Sequence, residues 1–385
     1  MQFPPFTDEH AQLRDAVRRF AVEQLAPHAY EWDRDGAFPH REVFRQLAEL
    51  GVLGIRFGEE SGGLGLDWWS TVAFVEGLAH CNNSGLIMSI LVDTDMATPI
   101  IDELGTPEQK REFLAPLIAG ERIAALGVTE PGAGSDVASI RTTARVDGDD
   151  YVINGSKTFI TNGSFADFIT LAVRTGEDGH GGISLVLFPT DTPGFTVGRK
   201  LDKLGTRSVD SSELSFDNCR IPRRYLLGQE NAGFLYIMTN FQGERLVAAL
   251  MANTGMELSI RRAIAYGMER SAFGRPLTKF QVWKHKFAEH LTALEASKAL
   301  TWKAVAKLNA GNPALATKDV SMAKLFASDL AQRVTYDCLQ FHGGYGFVEE
   351  YDIARAYRDV RLLPIGGGTS EVMKEIIWKW VEAGG

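Results

Sequence analysis

Cysteine is scarce in this chain of 385 residues: Cys81, Cys219 and Cys338 stand far apart and outside any CxxC spacing. That count and spacing argue against a disulfide framework and against a cysteine zinc site, and no metal centre is expected. Reduced, buried thiols are expected instead, as suits a reducing compartment. Excess positive charge is also missing. With a formal net charge of -9, a nucleic-acid surface is not expected, since that needs clustered Lys and Arg. A few placed arginines would still suffice to hold a phosphorylated small molecule. Long hydrophobic runs are absent as well: the longest clean one, residues 85–92, is far short of the ~20 residues of a membrane span. Residues 1–9 carry neither a basic n-region nor an apolar h-region, and their early acids do not suit a transit peptide. A soluble, cytoplasmic protein is the expectation.

What is present is ordinary globular composition, 45% hydrophobic and 23% charged, in a length that suits two or three domains or one layered fold. Residues 1–121 read as helices. Thr7 fits an N-cap, with Leu13, Val17, Phe20, Ala21 and Leu25 on one helical face. A second helix stops at Gly51, and Thr106-Pro107-Glu108-Gln109 is a start signal with Pro at N1 and Gln at N3. Ser61-Gly62-Gly63-Leu64-Gly65 lacks a Lys-Ser/Thr partner and reads as a turn rather than a phosphate loop. Over residues 122–230 the period changes to that of strands. Asp147-Gly148-Asp149-Asp150 marks a hairpin, and further short strands follow without helices between them. No GxGxxG follows a strand, so an antiparallel sandwich or barrel is expected rather than a Rossmann unit. Helical spacing returns over 231–385 in four long segments, a helical bundle. The fold class is α+β: helical domain, β domain, four-helix bundle.

Four stretches can carry chemistry. Gly127 to Asp136 is Gly-rich at the entry to the β domain, where backbone can approach a ligand closely and Thr129 and Ser135 offer hydroxyls. Around Phe159, aromatic and hydroxyl residues alternate along a strand. A flat ligand could stack on Phe159, but from that piece alone a core Phe is the better reading. Gln340-Phe341-His342-Gly343-Gly344-Tyr345-Gly346 ends a helix with more glycine than termination needs. His342 has no acid or nucleophile visibly paired with it, which favours a hydrogen-bonded packing role. Gly366-Gly367-Gly368-Thr369-Ser370-Glu371 leads into the last helix, where free N–H groups form an anion or oxyanion site.

In this order the four stretches resemble the acyl-CoA dehydrogenase family over nearly the whole chain, the C-terminal half being most similar to its long-chain, isovaleryl and citronellyl branches. The resemblance implies FAD held without a Rossmann fold. By analogy Val128, Thr129 and Ser135 meet the flavin or its ribityl chain, and Phe159 and Thr161 line the ring. Arg270 and Phe273 look like the pair that a neighbouring subunit offers to the diphosphate. Gln281, Gln340, Gly343 and Gly344 match positions that cradle the adenosine half, and Thr369 and Glu371 match contacts from the last helix. A homo-oligomer, the family's usual tetramer, follows from that sharing.

The family reaction converts an acyl-CoA to the trans-2-enoyl-CoA, with electrons passed on to an electron-transfer flavoprotein. In many members the base that removes the α-proton stands in the last loop, after a Tyr. Here that position is Gly367, following Gly366, and glycine cannot be a base. The long-chain and isovaleryl branches supply the carboxylate from a bundle helix, at a Glu-Arg pair that Gln242-Gly243-Glu244-Arg245-Leu246 matches. Read alone, Glu244 is a solvated acid in a first helical turn, favoured by the helix dipole. With Gly367 vacant, the resemblance makes Glu244 the general base and the Gly367 N–H a donor to the thioester oxygen. Ser135, Gln242 and Arg245 are then the implied substrate contacts, Arg245 on the CoA chain. Loss of the larger residues at 366 and 367 leaves room beside Cβ for a branch. Rival readings are a carrier-protein thioester as substrate, oxygen as acceptor, or a flavin-free scaffold.

Overall fold

A computed structural model describes residues 4–311 and 313–383. The start signals act as read. Thr7 caps the helix Asp8–Phe20 in a reciprocal capping box with His10, and Thr106 does the same with Gln109. Gly51, left-handed at φ 77°, follows the helix His40–Glu49. Only glycine adopts that conformation without steric cost.

The central part is one eight-stranded sheet of order β6-β7-β3-β2-β4-β5-β8, with β1 on β4. In chain order these are β1 (Ala124–Gly127), β2 (Thr143–Asp147), β3 (Asp150–Ile160), β4 (Phe168–Arg174), β5 (Ile183–Pro189), β6 (Phe195–Lys200), β7 (Ser212–Pro222) and β8 (Leu226–Leu227). The β2–β3 hairpin turns at Gly148-Asp149, with Asp147 opposite Asp150. The sheet is mixed rather than purely antiparallel, because β4 runs parallel to β1 and, at one register pair, to β2. Asp167 is the cause. Its backbone N–H donates to the Ile123 carbonyl at 2.7 Å, and its carboxylate accepts the Ile123 N–H at 2.7 Å. The two strands therefore leave one point in one direction.

After the sheet come a 37-residue helix, Gly233–Glu269, then Gln281–Asn309, Pro313–His342 and the terminal Ser370–Glu382. The first of these, here the central helix, buries residues all round, which puts it inside the protein rather than on its surface. One hydrophobic core joins Val17, Phe44 and Phe74 of the first helices to Leu246, Val305 and Phe341 of the bundle; a second joins the sheet to Ile101, Phe113 and Ile237. The stretch Ser84–Leu104, 21 residues of mean hydropathy 1.3, has the length and apolarity of a membrane span, but 83% of its most apolar window is buried inside the protein. It is a core element. All three cysteines are free and buried.

Candidate active site

Glu244 does not open a helix. The central helix begins at Gly233, so at ~1.5 Å per residue Glu244 lies roughly 16 Å inside it, beyond the reach of the terminal dipole. Nor is it solvated. Its Oε2 has no solvent contact and no hydrogen-bond partner among the described residues. Burial raises its carboxyl above the ordinary value, against the lowering influence of Arg245 and Lys324. The adjacent Gly243 lets the first helical domain approach, since a Cβ there would lie 3.1 Å from the Trp68 ring.

The loop at Gly366–Gly368 closes over this carboxylate. Gly367 is left-handed at φ 64° and Gly368 at 95°. A Cβ on Gly367 would stand 3.2 Å from Glu244 Oε1. The carboxylate thus occupies the space that a side chain at 367 would enter, which is why the two positions are read together. The Gly367 N–H has no acceptor among the described residues. Two buried cations hold the loop by its carbonyls: Arg245 Nε donates to Gly367 O at 3.2 Å, and Lys324 Nζ donates to Gly368 O. Arg245, expected on the CoA chain, is 4% exposed and turned to the loop. Gln242 is buried, donates to Met238 O at 2.9 Å and keeps its Oε1 without a partner among the described residues. Thr369 caps the last helix through the Val372 N–H, and Glu371 is exposed in its first turn.

The sheet presents a second group. Phe159 is not a core residue: it is 66% exposed and left-handed at φ 60°. The cause lies three residues on, where Asn162 donates to Ser89 O and Ala124 O and accepts from the Ser89 hydroxyl. That buried anchor turns the strand, the register slips between Lys157 and Ile160, and the ring is thrown outward. A left-handed aromatic costs ~1–2 kcal/mol, and such strain gathers at functional sites. Thr158 N–H donates to Thr129 O, so this turn and the 127–136 loop form one surface. Val128 is buried, Thr129 and Thr161 half-buried and Ser135 exposed. A Cβ at Gly132 or Gly134 would meet nothing.

Beneath that loop lies a buried ion pair that the sequence did not disclose. Lys157 Nζ is 2.8 Å from Glu130 Oε1 and 3.0 Å from Val128 O, while Glu130 also accepts the N–H groups of Arg141 and Thr142. Burial lowers the Lys157 ammonium to about 8 against the pull of Glu130.

The third group is on the bundle. Arg270, Phe273 (95% exposed), Gln281, Gln340, Gly343 and Gly344 are all exposed. The helix between them puts Arg270 roughly 40 Å from Glu244. One dinucleotide cannot reach both ends within a single chain. His342 packs as expected: it is buried, its Nδ1 lies 2.7 Å from Cys338 O, and its ring stacks on Tyr266. Lys324 was not anticipated, although a lysine among Val320, Ala323, Ala327 and Ala331 breaks an apolar helical face and was a visible signal.

Models of the acyl-CoA dehydrogenase N-terminal, middle and C-terminal domains match residues 7–121, 125–219 and 231–382. The mitochondrial long-chain specific acyl-CoA dehydrogenase of Sus scrofa is 40% identical over 375 residues, covering 97% of this chain and 86% of that protein. The butyryl-CoA dehydrogenase structure from Megasphaera elsdenii superposes with a TM-score of 0.95 at 36% identity, covering 99% of this chain and 100% of that one. A structure described as an electron transferring flavoprotein of Acidaminococcus fermentans gives 0.95 at 36% identity, covering 99% of each chain. Fold and relatives together define an oxidoreductase acting on CH–CH bonds, of a flavoprotein class. The chain belongs to the acyl-CoA dehydrogenase family.

Proposed function

We propose that the chain oxidises the Cα–Cβ bond of a fatty or branched acyl-CoA to the trans-2-enoyl-CoA, with Glu244 as general base. The observation that carries this is the carboxylate standing 3.2 Å from where a side chain on Gly367 would begin. A thioester α-proton is too weakly acidic for a carboxylate in water, so base and enolate must both be favoured by the site. Burial makes Glu244 the stronger base, and its oxygen takes the α-proton. The unpartnered Gly367 N–H donates to the thioester oxygen as negative charge develops there. Arg245 holds that loop by its carbonyl, and the acceptor Oε1 of Gln242 is free for the substrate's amide groups.

The surface fits FAD. Phe159 offers an exposed ring, the Val128–Ser135 loop offers bare backbone, and no neighbouring atom lies where a Cβ on Gly132, Gly134, Gly343 or Gly344 would stand. Val128, Thr129, Ser135, Phe159 and Thr161 would hold the flavin half, with Thr369 and Glu371 at the last helix. Arg270, Phe273, Gln281, Gln340, Gly343 and Gly344 would come from a second copy, because of their distance from Glu244. FAD, when bound, supplies the hydride acceptor for the β-carbon. An electron-transfer flavoprotein is the proposed acceptor, in keeping with the described neighbour of that name, in a cytoplasmic homotetramer.

The test is anaerobic mixing of the yellow protein with an acyl-CoA panel. Bleaching of the flavin band supports the proposal, and a colourless purified protein defeats it. Phe159→Ala is expected to weaken FAD retention about 2- to 10-fold, the worth of one aromatic stacking contact. Equilibrium dialysis of the flavin measures it, and the apoprotein's melting point should not fall, because the ring is exposed.

The pH dependence follows from the sign of the Glu244 shift. Its carboxyl is raised above the ordinary value, and only the ionised form accepts a proton. Turnover should therefore fall as pH drops through a point higher than an ordinary carboxylate's, and be full above it. A kcat profile from pH 4 to 8 reads this acid limb directly.

A further inference from the structure

Lys324 is fully buried, yet among the described residues no ion pair engages it, and the reaction as derived above gives it no task. Its helix, Pro313–His342, presents Val320, Ala323, Ala327, Leu330 and Ala331 to the same core. An apolar residue there would avoid the cost of burying an ammonium. Among the described residues the ammonium donates to one group, the Gly368 carbonyl. Arg245 donates to the carbonyl one residue earlier. Two successive carbonyls are pinned, and the peptide plane immediately before them carries the Gly367 N–H.

The charges around the pair are few. Glu244 is faced by Arg245 and Lys324; Lys324 is faced by Arg245, Glu244, Asp329 and Glu371. Asp329 is engaged by the Ser370 hydroxyl at 2.9 Å, and Glu371 is exposed. Lys324 and Arg245 are therefore the two cations that offset the cost of ionising Glu244, whose Oε2 is out of contact with solvent.

We infer that Lys324 is a positioning residue for the dehydrogenation: its bond to Gly368 O fixes the loop whose Gly367 N–H donates to the thioester oxygen, and its charge favours the ionised form of Glu244. This rests on Glu244 being the base. Burial and Arg245 lower the ammonium to about 8, so the cation is present at neutral pH.

The experiment compares Lys324→Met, Lys324→Gln and Glu244→Gln, each as purified yellow holoprotein, by kcat across pH 4 to 8. In Lys324→Met, kcat should fall about tenfold or more, and the acid limb should move up by about one pH unit, the effect of losing a nearby opposite charge. In Lys324→Gln the amide keeps a donor for Gly368 O, so kcat should lie between wild type and Lys324→Met with the same displaced limb. If Lys324→Met does not fold, Lys324→Gln decides alone by its limb. A fall in kcat with an unmoved acid limb overturns the inference, since packing damage alone does that, and so does wild-type behaviour in both lysine variants. The base assignment fails separately, if Glu244→Gln retains turnover and the limb.

Discussion

Replacing Glu244 by Gln is expected to lower kcat by about 10²- to 10⁴-fold, the worth of a positioned general base, while FAD stays bound. The amide has the carboxylate's shape and cannot take a proton. Stability separates loss of chemistry from loss of fold. Glu244 Oε2 is buried with no partner among the described residues, so an uncharged amide relieves a desolvation cost, and the melting temperature should hold or rise. Flavin bleaching under anaerobic acyl-CoA should slow to the same degree as steady-state turnover. Near wild-type rates in both assays would sink the assignment of the base.

The second large effect is on stability and falls on Glu130→Ala. That substitution leaves the Lys157 ammonium, 0% exposed, without its carboxylate, and strips the acceptor from the Arg141 and Thr142 N–H groups. Breaking one side of a buried pair costs about 3–5 kcal/mol. Chemical denaturation of the holoprotein should show this as a lower midpoint. The pH dependence gives a second check. Lys157 is lowered to about 8 in the folded state from an ordinary 10.5, so this group binds fewer protons folded than unfolded between those values. Its contribution to stability therefore rises with pH across that window and is flat at neutral pH. In Glu130→Ala the folded-state value drops further, and the window should widen towards lower pH.

Local chemistry was legible in the sequence and long-range anchoring was not. Thr7, Thr106 and the Gly148 turn were readable because each acts on residues within three or four of itself. The pairing of Glu244 with Gly367 was legible only through the family resemblance, which made a glycine at 367 call for a carboxylate elsewhere. Phe159 was not legible. Its outward turn depends on Asn162 reaching Ser89 and Ala124, and nothing in the local alternation signals that. The parallel pairing of β1 with β4 was hidden for the same reason, being fixed by Asp167 against Ile123. The bond from Arg245 to the Gly367 carbonyl was equally hidden, because its partners stand 122 residues apart.

The shared core of the first helices and the bundle sets an order of events at the ribosome. Val17, Phe44 and Phe74 belong to one core with Leu246, Val305 and Phe341. Translation delivers those partners last, after the entire sheet. The sheet can therefore consolidate early around its own core, while the opening helices wait with an uncovered apolar face. Until the bundle emerges, that face is a site for chaperones and for aggregation. Heterologous expression should accordingly gain more from slow synthesis or added chaperone than the finished protein's stability alone would suggest.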